Sequence, residues 1–131
     1  MTTTSAGDLL AALGAHLADF ELPAIASIHV SRSAPQVTVQ LAGHDPSAIA
    51  QGLLAWADTV TQVTAHAWRV PAGDSVHLSV TGHLAGGACV LVYGGLWAHH
   101  SGLGTDLPPD ATTTIPLAAL RHAATVKDVS A

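Results

Sequence analysis

Hydrophobic positions follow two different rhythms along this chain. Near the amino end Leu9, Leu10, Leu13, Leu17 and Phe20 recur at three- and four-residue steps, the spacing that lines one face of a helix. Residues 6 to 20 are therefore predicted helical. Ser5 and Asp8 stand where a capping hydroxyl and a first-turn carboxylate belong, and Pro23 closes the segment. The rhythm then shortens to two. Val37, Val39 and Leu41 alternate with Gln36, Thr38 and Gln40, as in a strand with one wet face. Residues 25 to 31 and 36 to 41 read as two strands joined around Ser33-Ala34-Pro35.

Asp45-Pro46 is a helix start, with a side-chain acceptor at the cap and a proline whose missing N–H costs nothing at the first position. Ile49, Leu53, Trp56, Ala57 and Val60 supply the buried stripe of a helix over 46 to 60. Three strands follow, at 62 to 70, 75 to 84 and 88 to 97, separated by Pro71-Ala72-Gly73-Asp74 and Gly86-Gly87. Residues 98 to 114, with Gly102, Gly104, Pro108 and Pro109, read as irregular. Thr114 is expected to cap a last short helix carrying Leu117, Leu120 and Ala124. The expected fold is α+β, in the order α-β-β-α-β-β-β-α: a mainly antiparallel sheet with helices packed on one face. One domain spans 1 to 131, with loose ends at about 1 to 4 and 127 to 131.

Hairpin arithmetic sorts the last three strands into faces. A four-residue turn at 71 to 74 sets Trp68 opposite His77 and His66 opposite Ser79. A two-residue Gly86-Gly87 turn sets His83 opposite Val90 and Thr81 opposite Val92. One face then holds Val76, Leu78, Val80, Leu84, Cys89, Leu91 and Tyr93, as a core face should. The other mixes Trp68, His66, His77, Thr81, His83, Val90, Val92 and Leu96 with small hydroxyl residues and carries no charge. A solvated sheet face normally carries charged or strongly polar groups, and interface cores are depleted of charge. Those eight residues are the candidate binding surface, for a second copy or a protein partner. The competing expectation is that the first helix or the C-terminal segment covers this face.

Composition narrows the function classes. The 131 residues are 49% hydrophobic and 10% charged, which argues against intrinsic disorder. Four Lys and Arg against nine Asp and Glu give a net charge of −5, too few cations to neutralise many phosphates, so direct nucleic-acid binding is not expected. No signal peptide or membrane span is readable, and a cytoplasmic protein is the expectation. The single cysteine, Cys89, forms no intramolecular disulfide framework.

Nine histidines are the most unusual local feature, yet they lack metal-site spacing. His66 and His77 fall on neighbouring strands without a carboxylate beside them, and His99-His100 lies in the irregular stretch with Asp106 and Asp110. Neither is expected to hold a metal. No serine sits in a nucleophile elbow, and Gly102-Leu103-Gly104 lacks the context of a dinucleotide loop. No cofactor is expected. Gly43-His44-Asp45 precedes the central helix, where a helix start can hold an anion or orient a carbonyl. One packed helix followed by long antiparallel strands resembles the layout of hot-dog thioesterases, a likeness of fold alone without a diagnostic motif. Two expectations result. The first is a non-catalytic, self-associating interaction domain, of regulatory or adaptor type. The second is a small enzyme or ligand-binding protein, thioesterase-like or metal-binding, using His44, Asp45 and the 98 to 114 loop.

Overall fold

The computed structural model describes residues 5–31, 36–97 and 106–125. The first helix, α1 (Ala6–Asp19), begins with a reciprocal cap: Asp8 N–H donates to Ser5 Oγ at 3.1 Å and Ser5 N–H to Asp8 Oδ2 at 3.2 Å. Strands β1 (Ile25–Ser31) and β2 (Gln36–Leu41) form an antiparallel pair. The second helix, α2 (Pro46–Ala57), starts on Asp45, whose Oδ2 accepts from Ala48 N–H at 2.9 Å. It ends three residues sooner than the hydrophobic stripe suggests: Asp58 takes the cap, and Val60 stands outside the helix against the core.

Next come β3 (Thr61–Arg69), β4 (Ser75–His83) and β5 (Cys89–Trp97), then a short strand, β6 (Thr112–Ile115), and a last helix, α3 (Leu117–Thr125). The class is α+β, and the sheet is six-stranded in the order β1-β2-β5-β4-β3-β6. Every adjacent pair is antiparallel except β2 with β5, which run parallel. Strand β6 is a departure from the expected irregular 98 to 114 stretch. Thr114 does not cap the last helix; it pairs with His66 in the sheet, as Thr112 does with Trp68. The physical reason lies in backbone demand: Asp110 N–H donates to Arg69 O at 2.7 Å and Arg69 N–H to Ala111 O at 3.0 Å, leading the chain onto the β3 edge. The Ser33-Ala34-Pro35 turn, residues 98–105 and both chain ends lie outside the described residues.

The core lies between one face of the sheet and the helices. Val37 and Val39 from β2, Ala65 and Ala67 from β3, and Val76, Leu78 and Val80 from β4 are all buried, with Ile49, Leu53 and Trp56 of α2 above them. Leu13 of α1 and Leu120 of α3 complete the same cluster. Neither terminal helix therefore covers the opposite face; all three helices of the described residues serve the core side.

Strand β5 corrects the expected register. Leu84 N–H donates to Ala88 O at 2.8 Å and Gly87 N–H to Leu84 O at 3.0 Å, so three residues, Ala85 to Gly87, form the hairpin loop. Gly86 and Gly87 both take positive φ, at 90° and 93°. His83 consequently pairs with Cys89, Gly82 with Val90 and Val80 with Val92. A change of one residue in loop length exchanges the two faces of a strand. Val90, Val92 and Leu96 are core residues, each 1% exposed, and Cys89, Leu91 and Tyr93 share the face of His77 and Thr81.

Candidate functional site

With the register settled, the open face is built from β4 outward. Ser75, His77, Ser79, Thr81 and His83 alternate with the buried positions of that strand and are each half-buried. His66 and Trp68 stand beside them on β3, and Cys89, Leu91 and Tyr93 on β5. Of the expected surface residues the structure brings together His66, Trp68, His77, Thr81 and His83. It removes Val90, Val92 and Leu96 to the core. Cys89, Leu91 and Tyr93, expected on the core face, stand on the open face instead.

Three rings form a ladder across the strands. The His77 imidazole stacks on Tyr93 with centroids 5.2 Å apart and meets Trp68 edge-on at 5.1 Å. Edge-to-face and offset-stacked pairs are the favoured ring geometries. The Trp68 indole N–H donates to Asp110 Oδ1 at 3.1 Å, which fixes the indole and brings a carboxylate to the rim. Burial among these groups pushes the His77 pKa below the ordinary imidazole range, so the ring is neutral at neutral pH. No open-face position on the described strands is Asp, Glu, Lys or Arg.

Toward the hairpin end, Cys89 Sγ lies 3.4 Å from His83 Nε2, while His83 Nδ1 is buried with no hydrogen-bond partner. Toward the other end, the face runs into a cleft of about 320 Å³. His44 and His77 both line it, together with Gln40 and Ser75. His44 Nδ1 donates, at a long 3.5 Å, to the Gly95 carbonyl. Asp45 takes no part in this cleft, because its carboxylate is engaged in capping α2. His99 and His100 lie outside the described residues. Among the described residues no group of three or more His, Cys, Asp or Glu is placed to hold a metal ion, and no helix is long and apolar enough to cross a membrane.

Comparison with known proteins adds no relative to this geometry. No family model, curated protein or solved structure matches the chain significantly.

Proposed function

We propose that the protein is a non-catalytic interaction domain that self-associates through the open face of its sheet, in a regulatory or adaptor role. The observation that carries this reading is electrostatic. The chain bears a net charge of −5, so two copies repel each other overall, and the open-face positions of the described strands carry no charged side chain, the Asp110 carboxylate standing at the rim. Trp68, His77 and Tyr93 give that face a rigid aromatic centre, the kind of anchor that carries interface energy. A two-fold contact presents the same patch from both sides, and a neutral patch of this kind is compatible with its own copy. We also propose a cytoplasmic setting, where a half-exposed thiol such as Cys89 stays reduced.

The test is the molar mass in solution across a dilution series, by light scattering or sedimentation. Dimer at high concentration dissociating on dilution supports the reading, and a monomer at every concentration overturns it.

A further inference from the structure

The parallel pair β2 and β5 ends unevenly. Its last register pair is Gln40 with Tyr93. Beyond that point β2 turns off through Gly43 into α2, whereas β5 continues to Trp97 with β4 as its neighbour. Past Gln40 the two strands part company, which leaves the carboxyl end of β2 and the Gly95 stretch of β5 without a common neighbour; in open α/β sheets a crevice of this kind at parallel strand ends holds ligands. The cleft of about 320 Å³ lies at this point. Its size is at the lower end of the range for small-molecule sites.

We propose that this notch binds a small uncharged planar heterocycle or amide, of about nucleobase size, through edge hydrogen bonds to His44, His77, Gln40 and Ser75. The inference goes beyond self-association and does not rest on it. The lining holds no Asp, Glu, Lys or Arg, so a phosphate or carboxylate entering it loses water without gaining a counter-charge. The polar groups offer donors and acceptors together. Gln40 Oε1 already accepts from Ser27 Oγ at 2.9 Å, which leaves its amide hydrogens to donate. His44 Nδ1 faces the Gly95 carbonyl at a long 3.5 Å, and its Nε2 is the ring nitrogen left to meet a ligand. Leu41 and Leu96 border the notch with their side chains buried in the core, and Gly95 leaves the His77 ring edge uncovered. No hydroxyl in the notch is hydrogen-bonded to an imidazole among the described residues, so the geometry serves binding rather than nucleophilic turnover.

Gly95→Ala is the discriminating variant. A β-carbon there would stand 3.5 Å from His77 Cδ2 and Nε2, an ordinary contact that the fold accepts but that occupies the notch. Nicotinamide and adenine serve as neutral probes, with benzoate and inorganic phosphate as anions, and the amide shifts of Gly43, Gly95 and Leu96 are followed by NMR. The expected result is saturable shifts with at least one neutral probe, weakened at least tenfold in Gly95→Ala and in His44→Ala, without a lowered melting temperature. Absence of saturable shifts with both neutral probes overturns the site, as does binding unchanged in Gly95→Ala. Tighter binding of either anion overturns the ligand class.

Discussion

Ile49 of α2 sits directly on the backbone of Gly94 in β5: a β-carbon at Gly94 would meet Ile49 Cδ1 and Cγ2 at 2.6 Å each. The helix can approach the sheet this closely because that position has no side chain. Gly94 and its neighbour Gly95 point to opposite faces, so one added methyl group distinguishes them. Gly94→Ala is expected to destabilise by about 1–3 kcal/mol through overpacking. Gly95→Ala, in open contact, is expected to be neutral or to stabilise by up to about 1 kcal/mol by restricting the unfolded chain. Urea midpoints of the two variants check both signs. Equal effects would mean that α2 does not rest on Gly94.

Cys89 tests the strand register chemically. In the fold it is half-exposed on the open face beside His83, whereas the opposite register buries it. Native protein in dilute solution is expected to react with an aromatic disulfide reagent to about one thiol per chain. Labelling that requires denaturant would place Cys89 in the core and Val90 on the surface.

His16 makes the fold acid-sensitive. It is 6% exposed. Its Nε2–H donates to Thr59 Oγ1 at 2.8 Å, and the ring stacks on Trp56 with centroids 5.4 Å apart. Burial pushes its pKa below the ordinary value, with the Asp19 carboxylate opposing the shift in part. The unfolded chain therefore binds a proton at higher pH than the folded one. Stability from this residue is complete above the ordinary imidazole pKa of about 6.5, and is lost as pH falls through that value toward the lower folded pKa. His77 acts in the same direction. Urea midpoints at pH 7.5 and 5.5 should fall on acidification, and fall less in His16→Gln, which keeps a donor without a titrating ring. A midpoint that rises on acidification would contradict this account.

The elements announced by local chemistry were legible in the sequence. Ser5 with Asp8 and Asp45 with Pro46 mark helix starts, and the turn at 71 to 74 sets the β3/β4 register, because each signal acts over a few residues. Strand β5 was ambiguous for a physical reason. Cys89, Leu91 and Tyr93 are as apolar as Val90, Val92 and Leu96, so alternation cannot choose between the two sets. The loop length chooses, and two consecutive glycines permit a two- or three-residue loop. Packing decides it, since only one register places Gly94 under Ile49. Strand β6 was obscured because Thr112, Thr113 and Thr114 carry no hydrophobic pattern and earn their place by pairing backbone with β3. The notch was invisible because the parallel β2/β5 pairing, which no local signal encodes, is what brings His44 and His77 to the same cleft.

Trp68→Asp tests the central claim most directly. The substitution removes the edge contact with His77 and sets a second carboxylate beside Asp110, on a face that would enter a two-fold interface twice. Sedimentation equilibrium of wild type and variant over the same concentration range, with far-UV circular dichroism on both, separates folding from association. Leu78→Asp serves as the unfolding control, because an unpaired charge in the core is not tolerated; Leu78 is fully buried. The account predicts that wild type dimerises while Trp68→Asp stays folded and monomeric. A folded Trp68→Asp that dimerises as tightly as wild type would contradict it and move the interface to another surface, such as the exposed Ile28 on β1.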